Sequence, residues 1–205
     1  MAARWSALPT WWIRQKRLGD FTGGNQAGRS ISAVKVLFAL SLLADFRTRK
    51  IKCSLSDLET LTGLSRPMVI TGTSALESMG VVMVDRSGHV NVYELLVTDE
   101  DSNWGKLPYE LLRKHLPEIV NRGAITLAAL KIYMLLVSWR PNQSLSLAIS
   151  HDKIREETGI QTRHVRPALD VLLNHALIRL SVSEGVTPGE LKGRHNVYTL
   201  LGLTL

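Results

Sequence analysis

The 205-residue chain is 45% hydrophobic and 21% charged, which excludes the disordered and collagen-like classes and leaves an ordinary globular protein. Its 25 Lys and Arg outnumber 18 Asp and Glu, and the resulting net charge of +7 suits a polyanionic partner. One cysteine, Cys53, rules out an internal disulfide and fits a reducing compartment.

Residues 1–17 alternate Trp and Leu with Arg and Lys and hold no apolar core of signal-peptide length, so a cytoplasmic protein is expected. Residues 23–30, GGNQAGRS, have the spacing of a phosphate-binding loop. Arg29 stands where that loop needs Lys, no apolar strand precedes it, and no later Asp follows an apolar run as a magnesium ligand. A P-loop-like NTPase is therefore only a distant alternative. Residues 32–46 place Ala33, Val36, Leu37, Leu40, Leu43 and Ala44 at helical spacing, with Ser30 or Ser32 available as a cap. The apolar run within them is about twelve residues, too short to cross a bilayer and right for a buried helix.

Ser54-Leu55-Ser56-Asp57 reads as a capping box opening a short helix to Leu61. Gly63 then sits where a left-handed residue turns the chain, and Ser65 caps a second helix with Pro67 in its first turn. Val69, Leu76 and Met79 face inward along that helix. Gly72 within it either weakens it by roughly 1 kcal/mol against Ala or lets a neighbouring backbone approach closely. Gly80 stops the helix; residues 81–84 form a strand, 85–88 turn, and 90–95 return as a second strand.

The chain then says the same thing again. GHVNVYELL at 88–96 and GRHNVYTLL at 193–201 match at six of nine positions. Upstream, Thr62-Gly63-Leu64 answers Thr158-Gly159-Ile160, Lys35-Val36-Leu37 answers Lys131-Ile132-Tyr133, and Trp5 with Leu8-Pro9 answers Trp104 with Leu107-Pro108. Two units of about a hundred residues follow, 1–97 and 104–205, joined by a short acidic linker at 98–103. Trp5 and Trp104 are each expected to pack a leading segment onto its own domain, and Trp11 and Trp12, which lack counterparts, to cover a dimer or interdomain surface. The second core helix spans 127–139. The second copy departs in three places: Gln161 replaces Ser65, leaving the cap to Thr162; Pro167 predicts a kink or a late start of the following helix; and the hairpin at 183–195 is longer and more basic.

Helix, capped short helix, glycine turn, helix and hairpin, in that order, resembles the winged helix-turn-helix family. LETLTGLSRPMVITGTSALESMGVV at 58–82 carries the resemblance, and IREETGIQTRHVRPALDVLLNHALI at 154–178 is similar with weaker caps. The resemblance implies an α+β, mostly α, chain of two tandem winged helix-turn-helix domains. Two such domains in one small chain resemble plasmid replication initiators and the regulators of phages and other mobile elements. This implies non-enzymatic binding of double-stranded DNA at an origin or operator, for replication initiation or transcriptional regulation. Cofactors, catalytic residues and membrane contact are not expected. A homodimer and replication or transcription proteins are further partners consistent with it.

The candidate DNA contacts are the helix starts and the wings. In copy one they are Ser65, Arg66, Met68 and Thr71, with Arg86 and His89 on the wing. In copy two they are Thr162, Arg163, His164 and Arg166, with Lys192, Arg194 and His195 on the wing. Arg can take guanine bidentately, Ser or Thr can bind phosphate, and wing residues can follow the backbone or enter the minor groove. Copy two, with more positive charge at its helix start, is expected to make the tighter contact. The alternative is an adaptor that grips other proteins through an apolar face at Met68, Val69 and Ile70. Six scattered His residues and a lone Cys show no zinc spacing, so no metal is expected.

Overall fold

The computed structural model describes residues 5–97, 104–141, 143–184 and 194–204, with the backbone only at 183, 184, 194 and 195. The linker at 98–103 and Lys192 lie outside the described residues.

The first unit runs β1 (Trp5–Pro9), α1 (Trp11–Arg14), two 3-10 turns (Arg17–Asp20 and Gly24–Gln26) and the central helix α2 (Ala27–Leu43). It continues through β2 (Lys50–Lys52), α3 (Leu55–Thr62), α4 (Arg66–Ser78), β3 (Val82–Asp85) and β4 (Val92–Leu95). The second unit repeats the order: β5 (Trp104–Pro108), α5 (Tyr109–His115), a 3-10 turn (Leu116–Glu118) and the central helix α6 (Ala124–Trp139). After it come β6 (Ser146–Ala148), α7 (His151–Thr158), α8 (Thr162–Asn174), β7 (Ile178–Glu184) and β8 (Arg194–Leu200). The architecture is α+β, with helices dominating and three small antiparallel sheets among the described residues.

Each hairpin gains a third strand that hydrophobic patterning did not show. β2 pairs β4, which pairs β3, and β6 pairs β8, which pairs β7. Both added strands are three residues long, too short to display an alternating pattern. The repeated Asn-Val-Tyr segment is the middle strand of each sheet, and Tyr93 and Tyr198 are both fully buried there.

The central helices differ from the expected bounds. α2 begins at Ala27 and ends at Leu43, so Ser30 and Ser32 lie inside it and cap nothing. Their hydroxyls donate instead to the carbonyls of Thr22 at 2.7 Å and Gly28 at 2.8 Å. Phe46 falls beyond the helix and is 60% exposed. α2 is buried nearly all round because α4 packs on it from its own unit and α6 from the other. The stretch 24–43 is long and apolar enough to pass for a membrane span, yet 78% of its apolar eighteen-residue window is buried inside the protein, as a core helix should be.

An approximate two-fold relates the units. β1 pairs antiparallel with β5, so Trp5 faces Pro108, Pro9 faces Trp104, and Ala7 faces Lys106 between them. The leading segments therefore pair with each other as well as packing each on the central helix of its own unit, β1 on α2 and β5 on α6. The same exchange recurs at the 3-10 turns: Arg17–Asp20 packs against α7, while Leu116–Glu118 packs against α3. Trp12 is fully buried, edge-on to Phe21 at 5.7 Å, and α1 packs on α6 of the other unit, which makes this an interdomain surface. Trp11 donates its indole N–H to the Leu96 carbonyl at 2.9 Å.

Candidate nucleic-acid interface

In the first unit the turn between α3 and α4 is built by local chemistry. Ser54 and Asp57 close a reciprocal capping box, with Ser54 N–H donating to Asp57 Oδ2 at 2.8 Å and Asp57 N–H to Ser54 Oγ at 3.1 Å. Gly63 ends α3 at φ 65°, and its carbonyl accepts from Asn121 Nδ2 of the other unit at 2.6 Å. Ser65 occupies the N-cap of α4, exposed, with its hydroxyl making no cap bond. The second unit repeats the turn with Ser150 capping α7 and Gly159 at φ 66°.

There the N-cap of α8 is Gln161, and Thr162 is the first helical residue rather than the cap. α8 runs unbroken through Pro167 for 13 residues, the length of α4, so the expected late start does not occur. Gly72 of α4 resolves its own alternatives: a Cβ there would lie 2.6 Å from the Ser32 carbonyl carbon, so glycine admits the α2 backbone. The matched position in α8 is Ala168, which is fully buried.

The outward faces of the two helices differ in charge. On α8, Thr162, Arg163 and Arg166 are exposed, His164 is half-buried, and Val165, Ala168, Leu169 and Leu172 turn inward. Neither Arg163 nor Arg166 makes an ion pair or side-chain hydrogen bond among the described residues. On α4, Pro67, Ile70, Thr71 and Ser74 are exposed and uncharged. Its one cation, Arg66, is held along α3 by Ser56 Oγ at 3.1 Å and Glu59 at 3.5 Å. Met68 packs against the core, Val69 is fully buried, and Thr71 spends its hydroxyl proton on the Pro67 carbonyl at 2.8 Å. The apolar face anticipated at Met68, Val69 and Ile70 thus loses Val69 and keeps Ile70, 49% exposed, beside a half-buried Met68.

Among the hairpin candidates, Arg86 is clamped bidentately on Glu77 at 2.8 and 2.6 Å, which raises its pKa above the ordinary value. His89 is exposed in the turn. β7 and β8 are seven residues each against four in β3 and β4, so the second hairpin is the longer one. Arg194 and His195 start β8; their side chains are outside the described set. Sequence reasoning missed Arg179 on β7, exposed and without an ion pair among the described residues. Its alternation with buried Ile178 was the available signal.

Burial raises the pKa of both anchoring tyrosines. Asn91 Nδ2 donates to Tyr93 Oη at 3.1 Å, while Tyr198 Oη meets His151 Nε2 at 3.1 Å. The Tyr198 contact ties its hairpin to His151 at the start of α7, whereas Asn91 lies within the Tyr93 hairpin itself. No protein-family model matches the chain, and no curated protein sequence does either.

Proposed function

We propose that this is a non-enzymatic, cytoplasmic double-stranded DNA-binding protein made of two tandem winged helix-turn-helix domains. It acts at an origin or operator of a plasmid, phage or other mobile element, in replication initiation or transcriptional regulation. The observation that carries the reading is the outward face of α8, where Thr162, Arg163 and Arg166 stand exposed at the start of a helix set by the Gly159 turn, with both guanidiniums uncommitted. That arrangement suits phosphate and guanine contacts in a major groove.

The approximate two-fold adds a geometric expectation. Two unlike readers related this way meet two unlike half-sites in inverted orientation, about one helical turn apart. α8 supplies the stronger contact, and α4, with its one cation held by Glu59, the weaker. The neutral α4 face with Ile70 is the observation that favours a protein contact as the second role of that unit. A nucleotide-hydrolysing loop at 23–30 gains no support, because the Ser30 hydroxyl donates to Thr22 and is buried.

The test is the Arg163→Ala, Arg166→Ala double variant against a DNA pool selected for binding by the wild type. A weaker affinity and a salt dependence shallower by about two phosphate contacts are expected. Unchanged affinity and slope would remove α8 from the duplex.

A further inference from the structure

We infer that His115, Glu118 and His175 form a binding site for a divalent transition ion of the zinc class. The three come from separate places: His115 ends α5, Glu118 lies in the 3-10 turn that follows, and His175 caps the C-terminus of α8. One ligand atom from each lies within 4.8 Å of the others. Glu118 Oε2 is 2.7 Å from His115 Nδ1 and 3.9 Å from His175 Nδ1. These separations bracket the roughly 3.3 Å edge of a tetrahedron with zinc–nitrogen and zinc–oxygen bonds near 2.0–2.1 Å. Small side-chain rotations close it.

The chemistry of the donors selects the ion. Two imidazoles and one carboxylate suit zinc, cobalt, nickel or copper, whereas magnesium and calcium take oxygen ligands. The imidazoles stand edge to face, 5.9 Å between ring centres. His175 has no side-chain hydrogen bond among the described residues, so its ring nitrogens are not otherwise committed. The two imidazole side chains are 15% and 24% exposed and Glu118 53%, which leaves an approach path and room for a water as fourth ligand.

The site would brace the end of α8 to the turn on which the first unit rests. A Cβ on Gly63 would meet the Pro117 carbonyl at 2.5 Å, and Lys35 donates to the Ile119 carbonyl at 2.7 Å. The ion therefore ties the outward helix of one unit to the support of the other unit's turn. This does not depend on what either helix binds.

The experiment is a Co2+ titration of the full chain, followed by visible absorption and then by displacement with Zn2+. One equivalent of Co2+ should give ligand-field bands that Zn2+ abolishes, and Zn2+ should raise the melting temperature. His115→Ala and His175→Gln should each weaken Co2+ binding by more than about tenfold, with far-UV circular dichroism unchanged, while His151→Gln retains the bands. Absence of bands in the wild type overturns the site. So do bands that persist in both variants. If His115→Ala does not fold, His175→Gln and Glu118→Gln carry the same decision.

Discussion

Lys35 and Lys131, at matched positions of the two central helices, each end on a backbone carbonyl of the other unit. Lys35 Nζ donates to Ile119 at 2.7 Å and to Asn121 Oδ1 at 2.6 Å, and Lys131 Nζ donates to Phe21 at 3.1 Å. Neither has a carboxylate within ion-pair distance among the described residues. Two nearly buried ammonium groups thus fasten the units by hydrogen bonds alone, at the expense of their hydration.

That arrangement sets a pH dependence. Burial lowers both lysine pKa values from 10.5 to about 8. Below about 8 both states carry the proton and stability sits at its lower level. Between 8 and 10.5 the folded lysine is neutral while the unfolded one remains charged, so stability rises with pH, by on the order of 3 kcal/mol per lysine at most. Urea unfolding of wild type and Lys35→Met from pH 7 to 10 checks this. The wild type should gain on the variant as pH rises, and parallel curves would contradict it. Cys53 and the buried tyrosines act in the opposite sense at high pH, but are common to both proteins and cancel in the difference.

Gly72→Ala should destabilise although alanine is the better helix former. The added Cβ would lie 2.6 and 2.7 Å from the Ser32 carbonyl carbon and oxygen, backbone atoms of α2 that cannot swing aside. Overpacking of this kind costs about 1–3 kcal/mol, more than the roughly 1 kcal/mol of propensity gained. A fall in the urea midpoint at constant slope is expected. Gly123→Ala, where nothing lies within 4 Å, separates the effect of left-handed backbone at φ 91° from that of crowding.

The contrast between these glycines shows how far the residues alone could be read. Ser54 with Asp57 and the turn at Gly63 were legible because their partners lie within a few residues. Gly72 was ambiguous because its partner, Ser32, is forty positions away. The pairing of β1 with β5 had the same cause: a Trp-x-x-Leu-Pro repeat records that two segments are alike, and not that they face each other. In the candidate interface the exposed start of α8 was readable from composition. The clamps on Arg66 and Arg86 were not, since Glu59 and Glu77 reach them only after α3 turns into α4 and α4 into its hairpin. His115 and His175 meet across sixty residues, which no ligand spacing reveals.

Cys53 should be inert in the folded protein. Burial, reinforced by Asp57, pushes its thiol pKa up to about 12, so the reactive thiolate is scarce at neutral pH. Reaction with a disulfide reagent should follow the unfolding rate across a urea series. A rapid phase of one thiol per chain in native buffer would show instead that the α3 start opens locally.

The charge clamps on the first unit make the last prediction. Arg66 is tied to Glu59 and Arg86 to Glu77, and both arginines remain more than half exposed, so the pairs are weak in stability terms. Glu59→Gln and Glu77→Gln should leave the melting temperature nearly unchanged. If the first unit lies on the duplex, each substitution frees a guanidinium and removes a like charge from the phosphate side. DNA affinity should rise at low salt, and the dependence of log affinity on log salt should steepen by about 0.9 for each phosphate newly engaged. Measuring both variants over a salt series, beside Arg163→Ala, distinguishes the units. A steeper slope in the Glu variants places the first unit on DNA, and an unchanged one leaves its neutral α4 face, with Ile70 exposed, to a protein partner.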